Sequence, residues 1–241
     1  MVAKKRSGFI SVVLPTYNEA ENVRPVTAHI KRVLKDRLME IIIVDDDSPD
    51  RTWRIVERMK DPKIRLIHRT KERGLASAIA AGVNDARGSV IVWMDCDSGI
   101  PPEEIPNLVD KLKKYPVAIG SRYVRGGKDM RSRFRGGASV LINRFAQLML
   151  GSHARDYTSG FAAIRKDILK HFPFPDTGFG EYFIDFIYLC GKHDLKVAEV
   201  GYVYKDRMRG VSKSGDTPGT LFRLGMNYTG RIIKLYFQDK F

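Results

Sequence analysis

The chain has 241 residues, which suits one α/β domain, and 43% of them are hydrophobic, enough to bury a core and to exclude a disordered polymer. Lys and Arg number 42 against 28 Asp and Glu, and the net charge of +14 calls for an anionic partner: nucleic acid, an anionic membrane surface or a phosphorylated substrate. The cysteines, Cys96 and Cys190, stand far apart in no metal-ligand spacing and fit a reducing compartment without a disulfide framework, while no apolar run reaches the ~18 residues of a membrane-spanning helix.

Residues 1–8 form a short basic tail, and Phe9–Leu14 after it is too short for a signal-peptide core and reads as a strand. Asn18, with Glu21 three residues on, reads as the capping box of a following helix. Glu40–Asp45 contains Ile41-Ile42-Ile43-Val44, a β-branched run that fits a strand buried on both faces. Ser48-Pro49-Asp50 ends it, with Asp50 as a helix cap, and Thr52–Lys60 reads as a helix. Ile64–His68 is then a strand, the Ala-rich Leu75–Ala86 a helix, Ser89–Met94 a strand, Pro101–Tyr115 a helix with prolines in its first turn, and Val117–Gly120 a strand. This alternation predicts βαβ units: an α/β fold with a mostly parallel sheet and helices on both faces. After Gly120 the rhythm breaks. Tyr123–Arg135 reads as a mobile basic loop bearing Gly126-Gly127, Ala138–Leu150 and Phe179–Cys190 as helices, Leu195–Tyr204 as a strand, Lys205–Pro218 as a Gly/Ser/Lys loop and Thr220–Phe237 as a last helix.

Ligands of open α/β sheets bind beyond the carboxyl ends of the strands. There this chain carries Pro15-Thr16-Tyr17-Asn18-Glu19, then Asp45-Asp46-Asp47, then Asp95-Cys96-Asp97. In an extended segment Asp95 and Asp97 face the same side, and hard cations such as Mg²⁺ or Mn²⁺ take carboxylate and phosphate oxygens. A carboxylate at 45–47 can accept from a base or a ribose hydroxyl, and Tyr17 can stack on a base. No GxSxG, HExxH or P-loop pattern occurs, and the 5 histidines show no ligand spacing.

Taken in order, PTYNE at 15–19, VDDDSPDRT at 44–52, MDCD at 94–97 with PPEE at 101–104, GSRYVRGG at 120–127, the R-x₃-S-x₃-N set of Arg135, Ser139 and Asn143, TSGF at 158–161, GEYFIDF at 180–186 and DRMRGVSK at 206–213 resemble glycosyltransferase family 2, and within it the dolichyl-phosphate mannosyltransferase type. The resemblance implies a GT-A type catalytic domain over residues 9–216. In it Pro15, Tyr17, Glu19, Val44 and Asp46 hold the nucleoside, Asp95, Cys96 and Asp97 meet the diphosphate and a Mg²⁺ or Mn²⁺ ion, and Arg122, Arg207 and Lys213 grip phosphates. Asp95, Asp97 and Arg122 are then the catalytic set, and Arg122, Arg135 and Ser139 the candidates for the acceptor phosphate. Similar enzymes often carry a Gln two residues beyond the second Asp as a further metal ligand; here that position is Gly99.

The implied reaction moves a hexose, mannose from GDP-mannose, to a polyprenyl (dolichyl) monophosphate with inversion. That acceptor is already an oxyanion at neutral pH, since its second pKa is about 6, and needs no general base. A UDP-glucose-dependent relative is the alternative within the family. A nucleic-acid-binding module is the remote one, disfavoured because the basic segments are Gly-rich loops beside an acidic crevice. Residues 217–241 form an amphipathic helix: at ~100° per residue, Arg223, Asn227, Gly230, Arg231, Lys234 and Gln238 share a stripe and apolar residues fill the rest. The pattern suits an interfacial helix that holds a peripheral protein on the cytoplasmic side of a membrane, with packing on the sheet as the alternative and recruitment by a separate membrane subunit left open.

Overall fold

In the computed structural model, which describes residues 9–97, 99–205 and 218–238, the first half of the chain runs β1 (Ile10–Thr16), α1 (Val23–Leu34), β2 (Leu38–Asp45), α2 (Thr52–Glu57), β3 (Ile64–His68), α3 (Leu75–Asp85), β4 (Val90–Trp93), α4 (Ile105–Lys111) and β5 (Val117–Ser121). The second half adds β6 (Lys128–Asp129), α5 (Arg133–Leu150), β7 (Ala162–Arg165), α6 (Glu181–Lys192), β8 (Val197–Gly201), β9 (Val203–Tyr204) and α7 (Pro218–Gln238). A seven-stranded sheet has the order β3-β2-β1-β4-β7-β5-β8, and β6 pairs with β9 in a small ribbon.

The order follows from patterning. β1, β2 and β4 are apolar on both faces, so they occupy the centre, with β1 parallel to β2 on one side and to β4 on the other. Val13, Ile42, Val44, Ile91 and Trp93 point to one face, where they pack with α3, α5, α6 and α7. Val12, Leu14, Ile41, Ile43 and Val92 point to the other, with α1, α2 and α4. α3 lies close on β1 because position 82 is glycine; a Cβ there would meet Val13 Cγ1.

Several expectations need correction. Asn18 caps no helix: it takes a positive φ of 55°, and its side chain accepts from the Asp50 N–H. α1 starts later, after Asn22. Asp50 accepts from the Thr52 N–H and hydroxyl and from the Ala20 N–H, but the cap position of α2 is Arg51, one residue later. The segment 123–135 is not one loop. It contains β6, and α5 already begins at Arg133, with Ser132 Oγ accepting from the Arg135 N–H. The strand read over 195–204 divides into β8 and β9. β7 was not anticipated and is antiparallel to both β4 and β5.

α7 is stitched into the core. Ile232 and Leu235 are buried with α5 and α6, and Arg231 makes a bidentate ion pair with the buried Asp185 of α6. Arg231 of the polar stripe is therefore turned to α6, while Arg223 and Lys234 and the apolar residues Phe222, Met226, Ile233 and Phe237 are left outside.

Far from the carboxyl ends of the strands, Glu40 of β2 gathers Ser11 Oγ, the Arg87 N–H and Arg65 Nη1 at 2.7–2.8 Å. Burial alone would raise its pKa, but the bonds from Arg65, Arg87 and Ser11 outweigh burial and hold it below the ordinary glutamate value. A depressed carboxylate stabilises the fold above its unfolded pKa of about 4.3, and that contribution is lost as pH falls toward the folded value. Glu40→Gln should therefore cost about 2 kcal/mol at pH 7. In denaturant titrations from pH 7 to 3, the gap from wild type should narrow as the pH drops.

Candidate active site

The strand order reverses about β1: the chain steps out through β2 and β3, then returns to place β4 on the other side. Such a switch point opens a crevice at the carboxyl ends of the strands. A cavity of about 480 Å³ lies there. Pro15, Tyr17, Glu19 and Asp46 line it after β1 and β2, Asp95 and Cys96 after β4, and Arg122 after β5. β7 runs antiparallel, so its leading residues Thr158, Ser159 and Gly160 reach the same edge.

At the β1/β2 end, Asp45 and Asp46 have different tasks. Asp45 is wholly buried and organises the turn, accepting from the Thr16 hydroxyl and from both the N–H and hydroxyl of Ser48. Asp46 faces the cavity, where its carboxylate takes Arg69 Nε at 2.7 Å and the Gly74 N–H at 2.8 Å. This pair fastens the start of α3 to the end of β2. It sets Arg73 beside Tyr17, with its guanidinium carbon 5.8 Å from the ring centroid. Val44, expected among the nucleoside contacts, is not on the wall; its side chain is buried against α3 in the core.

Asp95 is half-buried on the wall. Asp97 is 1% exposed and does not line the cavity, and its Oδ1 accepts from the Gly99 N–H at 2.8 Å. The turn after β4 thus curls, and the two carboxylates do not present themselves equally. Gly99 also receives the chain leaving β9: its carbonyl accepts from the Lys205 N–H, and a Cβ at 99 would lie 3.1 Å from the Lys205 carbonyl oxygen. A side chain there would be in tight contact with the Asp97 carboxylate and with that strand end, which would have to give by a few tenths of an ångström. Among the described residues no group of three or more His, Cys, Asp or Glu side chains could hold a metal by itself.

Arg122 is the most constrained cation of the site. Nε and Nη2 grip the wholly buried Asp156 at 2.9 and 2.7 Å, Nη2 also donates to Thr158 Oγ1, and Nη1 lies 3.6 Å from Asp129. Burial would depress its pKa, but the Asp156 carboxylate more than compensates and holds the guanidinium charged. Asp129 also pairs with Arg131, which lies on the cavity wall and over the Tyr204 ring. Two guanidiniums therefore share one carboxylate at the mouth of the site.

Asn143 and Ser139 of α5 support this cluster. Asn143 accepts from the Tyr157 N–H and donates to Thr158 Oγ1, while Ser139 Oγ is 3.2 Å from the same Thr158 oxygen. Ser139 thus lies one side chain away from Arg122. Arg135, in the first turn of α5, does not line the cavity. Arg207 and Lys213 lie outside the described residues. Sequence reasoning missed Arg73, Arg131, Tyr182 and Tyr228 as wall residues. Arg131 sits in a stretch flagged only as basic, Tyr182 lies within GEYFIDF, and nothing local marks Arg73 or Tyr228.

The profile of "Glycosyl transferase family 2" matches residues 11–172. The chain belongs to glycosyl transferase family 2. It is 38% identical over 210 residues to the dolichol-phosphate mannosyltransferase of Pyrococcus furiosus, covering 85% of this chain but only 58% of that longer protein. It is 33% identical to the polyprenol monophosphomannose synthase of Mycolicibacterium smegmatis, covering 84% of this chain and 79% of the relative. Among solved structures it is similar to glucosyl-3-phosphoglycerate synthase of Mycobacterium tuberculosis, determined with Mn²⁺, UDP and phosphoglyceric acid, with a TM-score of 0.73, 19% identity, and 96% and 80% of the two chains covered. That likeness establishes the GT-A type fold.

Removing the partner of a buried charge costs about 3–5 kcal/mol. Asp156→Ala should lose that much in chemical denaturation, because it leaves Arg122 buried and uncompensated, whereas Asp110→Ala on exposed α4 should stay within about 0.5 kcal/mol of wild type.

Proposed function

We propose that this chain is an inverting hexosyltransferase that moves mannose from GDP-mannose to a polyprenyl monophosphate at a membrane surface. The observation that carries the reading is one cavity at the switch point, with a Tyr17/Asp46 end, Asp95 in the middle and the Arg122–Arg131 pair beyond. The names of relatives 30–38% identical to this chain support mannose and a prenyl phosphate as the substrates.

Asp95 and Asp97 fit Mg²⁺ or Mn²⁺, because such ions are commonly held by a carboxylate or two with substrate phosphates and water completing the shell. When bound, the ion supplies neutralising charge to the departing nucleoside diphosphate. The chain's own residues do the rest. Tyr17 and Arg73 flank the base, Asp46 and Glu19 offer acceptors to the nucleoside, and the guanidiniums of Arg122 and Arg131 stabilise phosphate oxygens. Ser139 with Arg122 and, after a side-chain swing, Arg135 would receive the acceptor phosphate, and Arg207 and Lys213 are the further candidates for gripping phosphate. The acceptor oxyanion attacks the anomeric carbon opposite the leaving group, so no general base is required.

No helix among the described residues is long and apolar enough to cross a membrane. We assign the membrane contact to the outer stripe of α7, where Phe222, Met226, Ile233 and Phe237 fall within ~60° of one another, and to the adjoining α5, whose Phe134, Leu141 and Leu148 repeat every heptad. Arg144, Arg223 and Lys234 are exposed on the same two helices and suit anionic headgroups.

The deciding experiment incubates purified protein with GDP-mannose or UDP-glucose, with and without polyprenyl phosphate, in Mg²⁺ or EDTA. The reading expects lipid-linked mannose only with GDP-mannose, prenyl phosphate and metal, and a loss of at least about 100-fold in turnover for Asp97→Ala. Equal activity in EDTA, or transfer from UDP-glucose alone, contradicts it. For the membrane contact, Phe222→Glu combined with Phe237→Glu should abolish sedimentation with anionic vesicles while leaving the thermal midpoint unchanged, since both side chains are exposed. Unaltered sedimentation would move the contact elsewhere.

A further inference from the structure

α7 has a second face, and it is turned toward the reaction. Tyr228 lies on the side opposite the exposed apolar stripe and lines the cavity beyond Asp95. Its phenol oxygen is seated over the backbone of Gly180, at the entrance to α6; any Cβ at position 180 would collide with that oxygen. Glycine is therefore required there for the tyrosine to enter. Helix and tyrosine are held in place from below by the Arg231–Asp185 pair one turn further on and by buried Ile232 and Leu235. The tyrosine thus forms part of the cavity wall, with Gly180 leaving room for its hydroxyl.

The position along the sheet says which part of the ligand. Neighbouring strands lie roughly 4.8 Å apart, so from β2 through β1, β4 and β7 to β5 the crevice runs about 19 Å. With the nucleoside at the β2/β1 end and the diphosphate at Asp95 after β4, the next group of a nucleotide-sugar falls beyond β4, between Asp95 and Arg122. The wall there is Phe179, Tyr182 and Phe183 from the start of α6, with Tyr228 from α7. Asp95, Arg122 and Arg131 line the same cavity as Tyr228. Aromatic faces take the C–H side of a pyranose, and a phenol donates to one of its hydroxyls.

We propose that Tyr228 of the C-terminal helix is a sugar-positioning residue, donating a hydrogen bond to a hydroxyl of the hexose being transferred, at a subsite that Gly180 keeps open. This assignment rests on the nucleotide-sugar reading of the cavity. It makes α7 part of the active site as well as a surface helix.

The test compares GDP with GDP-mannose as calorimetric probes, each with Mg²⁺, on full-length wild type, Tyr228→Phe and Gly180→Ala. Tyr228→Phe keeps the ring and removes only the donor. It should bind GDP within about twofold of wild type but GDP-mannose roughly threefold to tenfold more weakly, with at least as large a fall in kcat/KM for transfer and no change in thermal midpoint. Gly180→Ala, which displaces the ring, should show the same sugar-selective loss. Unchanged GDP-mannose affinity in Tyr228→Phe, or equal weakening of GDP and GDP-mannose, overturns the assignment while leaving the donor reading intact. Failure of wild type to bind GDP-mannose at all overturns the donor reading, and this subsite with it.

Discussion

The buried pair of Arg122 and Asp156 is the constraint around which the site is arranged. A guanidinium as buried as this one has to keep its counter-charge, and Asp156 supplies it through two side-chain bonds and a third from the Arg122 backbone N–H. Asp156 in turn needs its loop held. Glu199 of β8 accepts from the N–H groups of Arg155 and Asp156, and Asn143 of α5 accepts from that of Tyr157. One charge therefore ties β5, β8, α5 and the approach to the antiparallel β7 into a single corner. With Asp156 occupied, the remaining face of Arg122 looks toward Asp129 and the cavity. There a ligand anion competes with one carboxylate shared by two guanidiniums, not with two separate ion pairs.

The same economy explains the acidic residues crowded into a chain of net charge +14. Asp45 and Asp50 build turns, Asp46 fastens α3 to β2 through Arg69 and Gly74, and Asp129 restrains Arg131. Asp95 lines the cavity wall together with Glu19 and Asp46, and Asp97 lies behind it, accepting from the Gly99 N–H. Because the Gly99 carbonyl also receives the Lys205 N–H, the carboxylate turn and the root of the second basic loop are in direct contact. A glycine that reads from sequence as the loss of a metal ligand is, in the fold, a close approach between two parts of the site.

The central sheet was legible because β1, β2 and β4 are apolar on both faces, a pattern few other elements produce, and the strand ends then drew attention to the acids at 45–47 and 95–97, whereas Arg122 came from the family resemblance. β7 escaped because Ala162-Ala163-Ile164-Arg165 is short and carries no alternation; its partners β4 and β5 are distant in the chain, and only tertiary pairing makes it a strand. The start of α5 escaped because Gly136-Gly137 weakens helix propensity, which packing against α7 overrides. The amphipathic pattern of α7 was visible, but its orientation was not. Periodicity shows which residues share a face; Asp185, 46 residues before Arg231, decides that Arg231 turns inward. Tyr228 was invisible for the same reason: an aromatic on a helix reads as packing until the cavity beside it is known.

The most direct test of the account is where the donor lies. Diffraction from crystals grown with GDP and Mn²⁺ at a wavelength that records manganese should give an anomalous peak within coordination distance of Asp95 or Asp97, with the guanine beside Tyr17 and the diphosphate pointing toward Arg122. A manganese peak away from both carboxylates, or a nucleotide lying with its base at the Tyr228 end, would contradict the assignment of this crevice as the sugar-donor site.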